Sequence, residues 1–252
     1  MPEKSLAVII LAAGKGTRMQ SPLAKVLQLL SGHPLLYYVL ETVKELNADR
    51  VSVVVGFQAD EVKAAFPDPR IEFVEQKEQL GTGHAAQQTE SCLADFAGDV
   101  LVLCGDMPLI KPATLKNLIK KHRDSQASCT ILTLKPKNGE IKDFGRILRD
   151  EDQSIVRIVE NKDATPAEKK VDEYNSGVYF FDKALFYKAL VEIDNSNSQN
   201  EYYLTDTVQF FVQNRHSVQS VQTEDSDEIF GINSPEDLKK AEHLLREDNS
   251  SL

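Results

Sequence analysis

Apolar residues in the first half of the chain fall into short runs that are separated by stretches with helical spacing. The runs lie at residues 6–11, 51–55, 71–75, 100–104 and 129–134. Three of them, the first, second and fourth, are nearly continuous Val, Ile and Leu, which is typical of strands covered on both faces. The stretches with helical spacing lie at residues 35–46, 59–66, 84–96 and 112–122. This alternation predicts an α/β fold with a Rossmann-like, doubly wound and mostly parallel sheet.

The pattern changes after about residue 138, where strand-like segments follow one another closely. Residues 146–148 and 154–160 predict a hairpin around 150–153, and 176–181 predict another strand. Helices are predicted at 182–190 and 205–215. We expect a small antiparallel addition that forms one wall of a cleft.

The C-terminal segment 235–246 carries the signals of a helix start. Ser234 can cap it, Pro235 suits its first position, and Glu236 and Asp237 complement the helix dipole. We predict one domain over 1–252, with this helix at about 234–248.

Composition narrows the possible functions. The chain has 252 residues, of which 41% are hydrophobic and 27% charged, as in globular proteins. Its formal net charge of −10 argues against sequence-independent nucleic-acid binding but allows local phosphate sites. Its three cysteines form no CxxC pair, and the apolar run at 6–13 is too short to span a bilayer. These features predict a cytoplasmic protein that neither enters a membrane nor binds nucleic acid.

The most informative segment is the glycine-rich turn LAAGKGTRM at 11–19, directly after the first strand. It lacks the spacing of a P-loop and the third glycine of a dinucleotide fingerprint. Ala12, Ala13 and Gly14 would let a flat base or ribose approach the backbone, and Gly14 and Gly16 would aim N–H groups at phosphates. The alternative is an ordinary glycine-rich connection with solvated cations.

Two cations accompany this turn. Arg18 offers a fixed fork for phosphate oxygens, and Lys25 would place a second cation in the same cleft. We therefore predict a nucleotide site that includes Leu11, Ala12, Ala13, Gly14 and Gly16.

The turn resembles the signature of the sugar-nucleotide pyrophosphorylases, which are nucleotidyltransferases. The resemblance is stronger to the N-terminal uridylyltransferase domain of the bifunctional UDP-N-acetylglucosamine pyrophosphorylase/glucosamine-1-phosphate acetyltransferases, and it runs from about residue 6 to 245. It rests on ordered matches, namely LAAGKGTRM at 11–19, EQLGTGHA at 78–85, GDMPL at 105–109, FGRI at 144–147, VENKDA at 159–164, NSG at 175–177, EYYLTD at 201–206 and GIN at 231–233.

The resemblance implies a nucleotide-diphospho-sugar transferase fold, with a nucleotide-binding part at about 1–138 and a sugar-binding part at about 139–230. It implies that Gln76, Gly81 and Thr82 bind uracil. A glutamine offers both a donor and an acceptor, which suits the imide edge of that base. The alternative is a helix entry capped by Thr82. We assign His84 no role.

The resemblance also implies a magnesium site. Asp106 follows a buried strand, and an aspartate there can hold Mg²⁺ against two phosphates. Its implied partner is Asn233, a pairing that no spacing in the sequence suggests. The alternatives are an Asx-turn at Asp106 and turn chemistry at Asn233.

Four residues match family positions that hold the sugar. Their chemistry fits, since carboxylates and amides bond hydroxyl and N-acetyl groups and glycine exposes its backbone. They are Gly145, Glu160, Asn175 and Thr205. Tyr202 or Tyr203 would pack against the sugar.

The reaction implied is attack by a sugar 1-phosphate, N-acetylglucosamine 1-phosphate, on the α-phosphorus of UTP, which yields UDP-N-acetylglucosamine for cell-envelope synthesis. Such a transfer requires positioning and charge neutralisation by Arg18, Lys25 and Mg²⁺ rather than a general base. Alternatives are another sugar such as glucose 1-phosphate or another nucleotide such as TTP, a glycosyltransferase, or a non-catalytic sugar-nucleotide-binding protein. The glycosyltransferase alternative lacks an Asp-x-Asp motif at Asp106.

The chain departs from that family in two ways. Close relatives often carry an aromatic residue where Cys104 stands, which affects the sugar or ribose pocket. The bifunctional relatives continue into a β-helix of hexapeptide repeats that trimerises and transfers acetyl groups. No six-residue repeat occurs here, so we expect no β-helix in this chain, which is either a fragment or a stand-alone transferase.

Overall fold

A mixed sheet with helices on both faces forms the centre of the molecule. The computed structural model describes residues 4–137 and 143–249. Positions 1–3, 138–142 and 250–252 of the predicted parts lie outside the described residues. The strands are β1 (Ser5–Ala12), β2 (Leu29–Leu30), β3 (His33–Pro34), β4 (Arg50–Val55), β5 (Ile71–Glu75), β6 (Gly98–Cys104), β7 (Cys129–Leu134), β8 (Arg146–Arg149), β9 (Ile155–Val159), β10 (Tyr174–Asp182) and β11 (Val218–Thr223). The helices are α1 (Leu35–Lys44), α2 (Ala59–Ala65), α3 (Thr82–Gln87), α4 (Pro112–Ser125), α5 (Lys183–Glu192), α6 (Thr207–Gln213) and α7 (Pro235–Asn249).

The sheet follows the order β11-β7-β10-β6-β1-β4-β5. β1 pairs in parallel with β4 and β6, β4 with β5, and β7 with β11. β10 is antiparallel to both β6 and β7 and lies between them. β8 pairs with β9 and, at one position, with β10. The prediction of a mostly parallel α/β sheet with a small antiparallel addition is confirmed.

Burial on both faces explains the continuous apolar composition of the central strands. Along β1, Val8 and Ile10 pack into one core cluster, and Ala7 and Ile9 into a second one on the opposite face. All four are fully buried. Because successive side chains of a strand point to opposite faces, each face has its own core.

Several element predictions need correction. The predicted helix 84–96 ends at Gln87, since residues 88–95 form turns. The Thr89 hydroxyl donates to the carbonyl of Ala86, 2.6 Å away, and the N–H of Thr89 bonds that same carbonyl three residues back. Such local bonding competes with the helix ladder. Neither β11 nor the short β2–β3 hairpin was predicted. The two valines of β11, Val218 and Val221, stand three positions apart among polar residues, so the two-residue alternation typical of a half-buried strand is missing.

The start of α7 behaves as predicted. The Ser234 hydroxyl accepts from the N–H of Asp237 at 3.2 Å, and the Asp237 carboxylate accepts from the N–H groups of Asn233 and Ser234 at 2.9 and 2.8 Å. This reciprocal capping fixes the backbone just before the helix. α7 then packs Ala241 against Met19 and Leu30, so it supports the segment after the glycine-rich turn.

Candidate active site

A cavity of about 320 Å³ opens at the carboxyl ends of β1 and β6. Ligands in open α/β sheets bind at this edge. Nine of the predicted site residues line the cavity: Leu11, Ala12, Ala13, Gly14, Lys25, Gln76, Gly81, Thr82 and Asp106. Larger cavities lie elsewhere, one of about 610 Å³ beside α1 and β5, but they contain none of the predicted residues.

The glycine-rich turn packs directly on Lys25. Gly16 has φ +66°, and a Cβ at this position would lie 2.7 Å from the Cβ of Lys25. Glycine is therefore required both by the backbone angle and by the contact. Nothing lies within 4 Å of a Cβ built on Gly14, which leaves its backbone open to the cavity.

The structure brings together two cations and two oxygen ligands that are far apart in the sequence. Lys25 Nζ donates to Asp106 Oδ2 and, at 3.0 Å, to Asn233 Oδ1. Arg18 Nη2 donates to the same Asn233 oxygen at 3.1 Å. The N–H of Ile232 bonds the carbonyl of Asp106 at 2.9 Å and so anchors Asn233 beside it. The positions of Asp106 and Asn233 thus match the pairing that the resemblance implied.

The two oxygen ligands fit a small hard cation. One carboxylate oxygen and one amide oxygen converge on a single ammonium nitrogen, which marks a position suited to positive charge. No group of three or more His, Cys, Asp or Glu side chains in the described part of the chain could hold a metal. Mg²⁺ needs no such group, because it binds through one or two protein oxygens and keeps several waters.

The predicted base-binding loop is fixed by a backbone ladder to the segment 202–204. Tyr202 N donates to Leu80 O at 2.7 Å, and Gly83 N donates to Tyr202 O at 2.8 Å. Gly81 has φ +112°, and a Cβ there would lie 2.5 Å from Tyr202 O. The Thr82 hydroxyl accepts from Leu204 N at 3.0 Å and does not cap α3, so the capping alternative is wrong.

Gln76 differs from the expectation for a base-reading glutamine. Its Nε2 donates to Gly81 O at 3.0 Å and lies 3.0 Å from His84 Nδ1. The donor end of this side chain is therefore engaged within the protein. His84, to which we assigned no role, contacts Gln76 in the predicted base site. Its place in the first turn of α3, shortly after Gly81 and Thr82, could have indicated this contact.

The four predicted sugar-binding residues form a neighbouring group outside the lining of this cavity. Asn175 N donates to Gly145 O at 2.9 Å, and a Cβ on Gly145 would lie 3.5 Å from Glu160 Oε2. Asn175 Oδ1 accepts from Tyr179 OH at 2.8 Å. Thr205 is buried, and its hydroxyl interacts with the Glu160 carboxyl group, which partly offsets the rise in the pKa of Glu160 described next.

Burial and nearby carboxylates favour the neutral forms of Glu160 and Cys104. Burial raises the pKa of Glu160, and the carboxylates of Asp206 and Asp163 raise it further. Burial and the Asp106 carboxylate raise the pKa of Cys104 to about 12, while Lys25 partly offsets this. Cys104 lines the cavity, and its Sγ lies 3.4 Å from a Cβ built on Gly177, two residues after Asn175. A thiol with this pKa is a poor nucleophile.

Neither Tyr202 nor Tyr203 is among the residues that line the cavity. Tyr203 is buried, and its hydroxyl bonds Gln199 and Asp163 at 2.8 and 3.2 Å. Tyr202 contributes backbone groups to the loop ladder. Its neighbour Glu201 lines the cavity and was not predicted.

Comparison with protein families gives a match to the MobA-like NTP transferase domain over residues 8–162. The chain is 41% identical over 244 residues to the bifunctional protein GlmU of Desulfotalea psychrophila. The aligned region covers 97% of this chain and 71% of that protein. The chain is 43% identical over 244 residues to the bifunctional protein GlmU of Pelobacter propionicus, covering 96% and 53%. The chain therefore spans about half the length of the second relative.

Two solved structures share the fold. One is a UDP-glucose pyrophosphorylase complexed with UDP-glucose, with TM-score 0.77 and 17% identity over 97% of this chain and 99% of that one. The other is the inositol-1-phosphate CTP transferase from T. maritima, with TM-score 0.76 and 20% identity over 98% and 97%. At these identities the likeness concerns architecture alone.

Proposed function

The chain belongs to the MobA-like NTP transferase family, and from that membership we propose that it joins UTP and N-acetylglucosamine 1-phosphate to give UDP-N-acetylglucosamine and pyrophosphate. The observation that carries the proposal is the convergence of Lys25, Arg18, Asp106 and Asn233 beside the glycine-rich turn. A site that only bound the product would not need two cations for a leaving pyrophosphate.

The glycine-rich turn would hold the triphosphate. Gly14 and Gly16 present backbone N–H groups without side chains in the way. Lys25 and Arg18 would leave Asn233 to contact phosphate oxygens and stabilise the charge that develops on pyrophosphate. Donors already placed at such a position are among the largest contributions to catalysis.

Asp106 and Asn233 would hold Mg²⁺ with their side-chain oxygens. When bound, Mg²⁺ would neutralise charge on the reacting phosphates and help to align them. The attacking phosphate oxygen is already ionised near neutral pH, so none of these residues needs to act as a general base.

The sugar would lie against the second group of residues. Glu160 would accept from sugar hydroxyls, and Asn175 would bond the N-acetyl group or a hydroxyl. Its Oδ1 is engaged with Tyr179, so its amide nitrogen is the group available. Gly145 would approach through its backbone, and Thr205 would offer its buried hydroxyl beside Glu160.

In this proposal the nucleotide binds to the part of the chain at about residues 1–138, and the sugar binds to the part at about residues 139–230. The helix at about residues 234–248 supports Asn233. We place the reaction in the cytoplasm, because all three cysteines are free. No helix in the described part of the chain is both long and apolar enough to cross a bilayer.

The test is pyrophosphate release from UTP with N-acetylglucosamine 1-phosphate, with and without Mg²⁺. Glucose 1-phosphate, and TTP in place of UTP, serve as comparisons. We expect Mg²⁺-dependent turnover that is fastest with N-acetylglucosamine 1-phosphate and UTP. Faster turnover with another pair would reassign the substrates, and tight UDP-sugar binding without pyrophosphate exchange would contradict the enzymatic function.

A further inference from the structure

Gln76 lies at the end of β5 and lines the cavity with an almost fully buried side chain. Its amide nitrogen is 3.0 Å from two atoms, the carbonyl oxygen of Gly81 and Nδ1 of His84. The same Gly81 carbonyl also accepts from Ala85 N at 3.0 Å, which holds it at the start of α3. Gln76 is therefore clamped by the loop and by the helix that follows it.

These contacts fix which end of the amide faces which partner. A carbonyl oxygen can only accept, so the Gln76 group facing Gly81 O must be the NH₂ nitrogen. Its second hydrogen then goes to His84 Nδ1, which must accept, and the imidazole hydrogen consequently lies on Nε2. Both amide hydrogens are thereby engaged. Oε1 is the polar atom of this side chain without a partner in the described residues.

An isolated acceptor discriminates between pyrimidine bases. Uracil carries a hydrogen on N3 that can be donated to Oε1, whereas cytosine presents a bare N3 acceptor that would oppose it. If His84 did not accept the second hydrogen, Gln76 would have a free N–H and could donate to cytosine N3.

We propose that His84 is a positioning residue that holds Gln76 as an acceptor and so makes the site select uracil over cytosine. This inference rests on the proposed function, which assigns UTP to this cavity. His84 itself is held in α3, where Gln88 Nε2 donates to its carbonyl at 3.0 Å, and its ring lies 6.4 Å from that of Tyr202.

The kinetic test measures kcat and KM for UTP and CTP in His84→Ala, His84→Gln and, as a control of the same residue type, His33→Ala at an exposed histidine that does not line the cavity. We expect His84→Ala to lower the UTP/CTP ratio of kcat/KM about tenfold, the scale of one misplaced hydrogen bond, through a lower KM for CTP together with a higher KM for UTP. His84→Gln supplies an acceptor and should restore part of the ratio. The control should leave it unchanged.

A double-mutant cycle separates positioning from a general structural effect. In a Gln76→Ala background, His84→Ala should change the ratio no further, because the positioned group is gone. An unchanged UTP/CTP ratio in His84→Ala, with turnover retained, would overturn the inference, and so would equal losses for both nucleotides.

Nuclear magnetic resonance of the nucleotide-free protein tests the arrangement without turnover. Both side-chain amide hydrogens of Gln76 should exchange slowly with solvent, and one of them should exchange faster in His84→Ala. Unaltered exchange would contradict the positioning role. If no nucleotide is turned over, the proposed function fails, while this measurement still decides whether His84 holds Gln76.

Discussion

At the scale of single residues, the two cations of the site differ in how firmly they are held. The Lys25 side chain is 17% exposed and bonds both Asp106 and Asn233. The Arg18 side chain is 64% exposed and bonds Asn233, with Asp143 3.8 Å away. Exposed ion pairs contribute little to stability. Arg18 is therefore free to serve a ligand at little structural cost.

Arg18→Ala should reduce turnover by about a hundredfold or more, because a charge near the leaving pyrophosphate is removed. Its thermal unfolding should match that of the wild type. Arg70→Ala, at an exposed arginine paired with Asp68, is the control and should retain full turnover. Normal turnover in Arg18→Ala would exclude the leaving-group role.

Lys25 occupies the two oxygens that are proposed to bind the metal. Lys25→Met should therefore increase Mn²⁺ binding to the nucleotide-free protein by about tenfold, since a competing charge is removed from the site. Paramagnetic resonance of free Mn²⁺ measures this directly. Lys120→Met, at an exposed lysine in the second half of α4, removes the same charge and should have no effect.

Adding Asp106→Asn to Lys25→Met should abolish the gain in Mn²⁺ affinity. Equal or weaker binding in Lys25→Met alone would show that Lys25 and the metal do not compete for these oxygens.

The residue types in the sequence indicated the chemistry of the site, but they did not indicate which of its side chains contact one another. Gly14, Arg18 and Asp106 stand out because they follow buried strands. The approach of Asn233 to Asp106 depends on the bond between Ile232 N and Asp106 O, which no local pattern encodes. Gln76 was expected to offer a donor and an acceptor, but hydrogen bonds across the loop consume the donor.

At the scale of elements, the loop 80–83 and the segment 202–204 behave as one unit. Their backbone bonds join the proposed base site to the segment that precedes α6. Gly81 makes the close approach possible, because any Cβ would overlap Tyr202 O.

Gly81→Ala should raise KM for UTP and lower the midpoint of thermal unfolding. Gly32→Ala is the matched control, since Gly32 has φ +92° but nothing lies within 4 Å of its built Cβ. The control should show only the backbone cost of about 1 kcal/mol. Equal destabilisation in the two variants, with KM unchanged, would show that the overlap with Tyr202 does not matter.

Elements with strong periodicity or caps, such as β1, β6 and α7, follow the sequence pattern closely. α3 is shorter than its periodicity suggests because Thr89 bonds back to Ala86. β11 was not predicted because its pairing with β7, and not its own composition, stabilises it. Local sequence preference therefore determines β1, β6 and α7, whereas contacts beyond the local pattern determine the length of α3 and the position of β11.

At the scale of the whole molecule, acidic residues link stability to pH. Burial and the carboxylates of Asp194 and Asp163 raise the pKa of Asp206 from 3.8 to about 6. Between these values the folded state binds a proton that the unfolded state has lost. The contribution of Asp206 to the free energy of unfolding should therefore fall as pH rises from about 4 to about 6. Buried His122, whose pKa burial lowers from 6.5 to about 4, contributes in the opposite direction over about the same range, so the effect of Asp206 is read from the difference between wild type and variant.

Asp206→Asn removes the buried negative charge and should be more stable than the wild type at pH 8 by about 1 kcal/mol. This is less than the free energy that corresponds to the pKa shift of Asp206, because the side chain is partly exposed. The difference should vanish near pH 4. Denaturant unfolding at several pH values measures it, with Asp60→Asn, at a 97% exposed side chain, as control. Parallel pH profiles for the wild type and Asp206→Asn would refute the prediction.

The place of β10 also constrains how the chain can fold during synthesis. β6 and β7 are never neighbours, because β10, which is translated after both, fills the gap between them. Until residue 182 has left the ribosome, a nascent chain must keep two strands with unpaired edges apart. Such edges invite association with other chains. We therefore expect a chain that stops before β10 to aggregate more readily than one in which β10 can pair with both strands.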